Sequence, residues 1–142
     1  MQRANMSVAA TETGTTETAR VEQQIAAIAS ALRNGDHHYS LRLVAELVSW
    51  VRDGIIGLSA LAADPGSTGD ARWDAMIGGI AEMLVHEVGQ LVPEWATAPS
   101  RMLPTWWFVT TLRSLRPTVF VDTPPALAAH GVLLSAASLR SV

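Results

Sequence analysis

The stretch Asp70-Ala71-Arg72-Trp73-Asp74-Ala75-Met76-Ile77-Gly78-Gly79-Ile80-Ala81-Glu82-Met83-Leu84-Val85-His86-Glu87-Val88 decides the fold class. Trp73, Met76, Ile77, Ile80, Ala81, Leu84, Val85 and Val88 recur at i, i+3, i+4, i+7, the spacing that gathers side chains on one face of an α-helix. Gly89 follows as the natural stop. Inside the helix, Gly78 and Gly79 each cost about 1 kcal/mol relative to alanine. The pair is therefore either a weak spot or a place where another segment comes close to the backbone.

Working back towards the N-terminus, the same period recurs. Leu41, Val44, Leu47, Val48 and Val51 form one stripe over Ser40–Asp53. Trp73, Ile77, Ile80, Leu84 and Val88 are expected to pack against Val44, Leu47, Val48 and Val51. Val21, Ile25, Ile28, Ala29 and Leu32 form a third stripe over Glu17–Asn34, with Thr16 as a cap and Gly35 just past the end. Ile55, Ile56, Leu58 and Leu61 suit a further short helix after Gly54. Asp64-Pro65-Gly66-Ser67-Thr68-Gly69 is a break. Residues 1–16, rich in Thr, Glu, Ala and Gly without apolar periodicity, are expected to form a disordered tail.

Towards the C-terminus the texture changes. Pro93, Trp95, Pro99, Pro104, Trp106, Trp107 and Phe108 suggest short turns wrapped on the helices. Leu112 and Leu115 suggest a helical turn, whereas Thr118-Val119-Phe120-Val121 reads as a strand. Pro124 and Pro125 open a short helix over Ala126–His130, ended by Gly131. Val132-Leu133-Leu134 suits a short strand, and Ser135 a last helical turn. The expected fold is mainly α: a helical domain over 17–142 with a Trp/Pro-rich irregular C-terminal segment and one or two short strands.

Composition bounds the function. The chain has 142 residues, 49% hydrophobic and 16% charged, enough apolar matter for one core. It has no cysteine, which excludes disulfides and thiolate chemistry. No run approaches the roughly 20 apolar residues of a membrane span, and no secretory signal opens the chain, so a cytoplasmic location is expected and no membrane association. Formal net charge is −3, unlike a nucleic-acid binder acting alone. The positive charge is nevertheless concentrated late: Arg101, Arg113, Arg116 and Arg140 stand against Asp122 from Arg101 onward. Lysine is absent throughout, as a coding bias would produce.

Catalytic patterns are missing. There is no HExxH, GxSxG, SxxK, P-loop or dinucleotide fingerprint. His37 and His38 read as a loop at a helix start, with no further ligands at metal spacing. His86-Glu87 sits where a histidine favours the carbonyl end of a helix. No cofactor and no metal are expected. The most informative cluster is aromatic. Trp95, Trp106, Trp107 and Phe108 either fill the core or, edged by Arg101, Arg113 and Arg116, form a partner surface of the kind that binding hot spots favour. The candidate partner-binding set is therefore Trp95, Arg101, Trp106, Trp107, Arg113 and Arg116. Trp106 and Trp107 are adjacent, so one ring is expected to point inward and the other out.

The order Ser67-Thr68-Gly69-Asp70-Ala71-Arg72-Trp73-Asp74-Ala75, Pro93-Glu94-Trp95, Trp106-Trp107-Phe108, Thr123-Pro124-Pro125-Ala126-Leu127, His130-Gly131-Val132 and Ser135-Ala136-Ala137-Ser138-Leu139 resembles an uncharacterised group of small actinobacterial proteins. Members look like the C-terminal part of helix-turn-helix regulators and resemble partners of nucleotidyltransferase-type toxins. The resemblance covers about Ala31–Val142, and no helix-turn-helix unit precedes it here. It implies a regulatory or antitoxin-like protein that binds another protein, a toxin or a regulator, and not an enzyme. Two alternatives stand beside it: a DNA-binding regulator component using the late arginines, and a small enzyme using His86 or His130.

Overall fold

A computed structural model describes the backbone of residues 2–140 and the side chains of residues 16–140. Five α-helices are present among these residues, in the order α1 (Gln2–Arg33), α2 (His37–Arg52), α3 (Ala71–Glu87), α4 (Arg116–Asp122) and α5 (Pro125–Ala129). Two short strands, β1 (Trp107–Phe108) and β2 (Val132–Leu133), pair in parallel with Trp107 opposite Val132. Single 3-10 turns fill much of the rest. The fold is mainly α.

Helix α3 is the centre. Every residue from Ala75 to Val85 is buried except Glu82, which is partly covered. A helix buried on all sides must be clothed by more than one neighbour. Helix α2 covers one side with Val44, Leu47 and Val48. Helix α1 packs on α2 through Val21, Ile25 and Ile28. Between them, Gln24 Nε2 donates to the carbonyl of Leu43 at 2.8 Å, which satisfies a buried amide. The remaining sides of α3 receive the C-terminal chain: the turns Glu94–Thr97 and Pro99–Arg101, then α5 and β2.

The helix ends follow from local chemistry. Asp70 caps α3, its carboxylate accepting from the amides of Arg72 at 2.9 Å and Trp73 at 3.3 Å. Asp36 caps α2 in the same way through Tyr39 N at 3.0 Å, which starts that helix at His37 and brings His37 and His38 into its first turn. At the far end of α3, Gly89 adopts φ +67, which lets Gly89 N reach the His86 carbonyl and Gln90 N the Val85 carbonyl.

Some expectations are corrected. Helical backbone extends to Gln2, over residues assigned above to a tail, so Thr16 lies within α1 and is not its cap. That stretch holds one glycine, Gly14, and no proline to stop a helix. Thr118–Val121 is helical in α4 and not a strand. Pro117 presets a helical φ at the first turn, and this overrides the β preference of Val119, Phe120 and Val121. Val88 is 58% exposed because α3 ends at Glu87, which takes Val88 off the buried screw. Val51 is half-buried.

The buried face of α3 can be tested directly. Ile80→Ala and Leu84→Ala should each lower the unfolding free energy by about 2–5 kcal/mol in denaturant titration. A loss below about 0.5 kcal/mol would mean that another face is buried.

Candidate functional site

The segment from Pro93 to Val109 begins as a chain that cannot form a long helix. Ala98, which precedes Pro99, is extended at ψ 152, so Glu94–Thr97 and Pro99–Arg101 remain separate turns. Both turns lie on Gly78. A Cβ built at Gly78 would stand 2.7 Å from the carbonyl oxygen of Ala96 and 2.8 Å from Arg101 Cβ. One at Gly79 would stand 2.8 Å from Leu127 Cδ2 in α5. The glycine pair is thus a docking place for two segments, and not merely a weak spot.

Arg101 is the pin of this arrangement. Its residue is 3% exposed. Nη2 donates to Asp64 Oδ1 at 2.6 Å and to the Gly66 carbonyl at 2.9 Å, and Nη1 to the Asp74 carbonyl at 3.2 Å. The guanidinium also lies 4.9 Å from the Trp95 ring centre. A buried charge needs this many partners, because each unmet donor would carry its full desolvation cost. The position expected to edge a partner surface is therefore internal: Arg101 is spent on the loop 64–66, on α3 and on Trp95. Trp95 is likewise half-buried, with Nε1 donating to the Leu61 carbonyl at 2.8 Å.

A second internal pair fastens the same region. The ring of His130 is fully buried. Nδ1 lies 2.7 Å from the Arg101 carbonyl, which can only accept, so Nδ1 carries a proton and donates it. Nε2 lies 2.7 Å from Glu82 Oε2. Glu82 was not singled out in the sequence. The available signal was a lone carboxylate in the otherwise apolar run Ala75–Val85.

Trp106 and Trp107 part company as neighbouring residues beside a strand must. Trp107 is half-buried, its ring centre 5.7 Å from that of Trp73, with the Arg72 guanidinium 5.6 Å away. Its amide donates to the Gly131 carbonyl at 2.8 Å. Trp106 is 63% exposed. Its ring meets Phe120 of α4 at 5.2 Å between centres, and Phe120 is itself about half-exposed. Around this pair the chain holds little to the core. Residues 111–118 are all exposed, and Val119 is the buried residue of α4. Leu112, Leu115 and Val121 face solvent. Arg116 lies over the Phe108 ring at 4.9 Å, and Arg113 is exposed.

Of the candidate set, Trp95, Arg101 and Trp107 hold the segment down, while Trp106, Arg113 and Arg116 lie on its outer side. Phe120 joins Trp106; it was missed because residues 118–121 read as a strand. The histidines do not gather: His37 lies edge-on to Trp73 at 6.3 Å between ring centres, His86 is exposed at the end of α3, and His130 is enclosed. Among the described residues, no three His, Asp or Glu side chains are grouped to hold a metal ion, and no helix is long and apolar enough to cross a membrane. Comparison with protein-family profiles, curated proteins and solved structures finds no match.

The sorting of arginines has a measurable consequence. Arg101→Ala leaves the carbonyls of Gly66 and Asp74 without their donor and vacates the buried stem, while Asp64, itself largely exposed, returns to water; the loss should be about 2–4 kcal/mol. Arg113→Ala, on the open surface, should change stability by no more than about 0.5 kcal/mol in the same thermal or urea assay. Equal effects would contradict the assignment.

Proposed function

We propose that this protein acts by binding another protein, as a regulatory or antitoxin-like partner, and that the outer side of the segment Trp106–Val121 is the surface it uses. The observation that carries this reading is the Trp106–Phe120 pair, two aromatic rings in tilted contact, with centres 5.2 Å apart, and both open to solvent. With Leu112, Leu115 and Val121 they present more apolar matter than a solvated segment needs. Arg113 and Arg116 stand beside them in sequence, while Asp122 is the acid of this stretch. Aromatic anchors with an arginine rim are the composition that protein interfaces favour. Charge complementarity commits the partner to a face with an apolar hollow and a carboxylate rim.

The resemblance to partners of nucleotidyltransferase-type toxins points the same way. The DNA-binding alternative loses support because Arg101 is neutralised internally by Asp64. The histidine-enzyme alternative loses support at His130, where both ring nitrogens are occupied and the ring is out of reach of solvent, and is left with His86, exposed at the end of α3.

The test uses the purified protein and the products of the genes adjacent to its own, titrated by calorimetry. Trp106→Ala should weaken binding by about 2 kcal/mol or more, roughly thirtyfold, while far-ultraviolet dichroism and melting temperature stay unchanged. Binding that survives both Trp106→Ala and Phe120→Ala would refute the surface. Self-association abolished by either variant would replace the partner with a second copy.

A further inference from the structure

A different part of the molecule holds a groove of about 630 Å³ between α2 and the C-terminal turn Ala136–Leu139. It arises from two simple packing requirements. Helix α2 turns Leu43, Val44, Leu47 and Val48 to the core, which leaves His38, Arg42 and Glu46, at i, i+4 and i+8, as one outward row. Opposite, Leu139 is 1% exposed and plugs the core, which turns Ser138 and Arg140 outward. The two sets line the same hollow, with Leu41 and Ala137 supplying apolar wall.

We propose that this groove binds a small organic anion, a carboxylate or phosphate carried on an apolar body. Two guanidiniums from separate elements, Arg42 and Arg140, line it. Neither has an acid partner among the described residues, although Glu46 stands one turn from Arg42; by contrast Arg52 pairs with Glu87 and Arg101 with Asp64. Two arginines against one carboxylate leave the groove with excess positive charge. Arginine presents paired donors that match the geometry of a carboxylate or phosphate. The hydroxyls of Tyr39 and Ser138 and the ring of His38 add further donors to the lining. The volume lies in the range of small-molecule sites, and the mixed apolar and polar wall is their usual composition.

The experiment is a titration of the full chain with phenyl phosphate, benzoate and inorganic phosphate, followed by amide NMR. Phenyl phosphate or benzoate should shift the amides of residues 38–46 and 137–140 saturably. Arg42→Gln and Arg140→Gln should each weaken this binding about tenfold, the loss expected for one charge-assisted hydrogen bond. Glu46→Gln should tighten it, and Arg113→Gln should leave it unchanged. Absence of saturable shifts up to about 10 mM would overturn the proposal. So would equal binding of inorganic phosphate, which has no apolar body, or an Arg113→Gln effect as large as that of Arg42→Gln.

Discussion

At Gly78 the backbone of the central helix is bare, and a carbonyl oxygen and an arginine Cβ occupy the space where a side chain would begin. At Gly79, Leu127 does the same from another direction. Two glycines in a row weaken a helix by about 1 kcal/mol each relative to alanine. Here the lost propensity is exchanged for close approach on sides of α3 that α2 does not cover. The Pro99–Arg101 turn can then come near enough for Arg101 to reach Asp64, Gly66 and the Asp74 carbonyl together. The seat comes first and the buried charge depends on it, because a guanidinium out of water is tolerable only when all its partners are in range.

The outer features follow from that seat. Arg101 offers its own carbonyl to His130, and His130 in turn meets Glu82 on α3. His130 and Gly131 accept from the amides of Leu103 and Trp107, which sets β1 against β2. Once the strand pair is fixed, side-chain alternation sends Trp107 towards Trp73 and Trp106 outward to Phe120. Thr123 closes the far end: its hydroxyl donates to the Val119 carbonyl at 2.6 Å and accepts from Leu134 N at 3.0 Å. The exposed segment between these two anchors is held at both ends and loosely packed in the middle.

The three long helices were legible in their apolar stripes and in Gly35 and Gly89 just past two of their ends, but two of the starts were not: Asp36 opens α2 ahead of Ser40, and α1 runs back to Gln2. The inward and outward roles of Trp107 and Trp106 were legible as a pair, though not which residue took which role. Arg101 was not. A sequence offers an arginine as a surface residue, and the acid that makes burial tolerable lies 37 positions away. Glu82 and His130 are 48 positions apart, so neither residue announces the other. Phe120 was lost to local preference: three β-favouring residues outvoted Pro117 on paper, whereas in the fold one proline and one buried valine suffice for a short helix.

The seating of the C-terminal segments rests on the missing side chains of α3, and Gly78→Ala tests this by sign. By helix propensity alone the substitution should stabilise the protein by up to about 1 kcal/mol. Overpacking against the Ala96 carbonyl and Arg101 should instead cost about 1–3 kcal/mol in denaturant titration. Amide exchange should quicken at Leu103, Trp107 and Val109, the residues whose bonds depend on the seated segment. A stabilised variant with unchanged exchange at those amides would contradict that dependence.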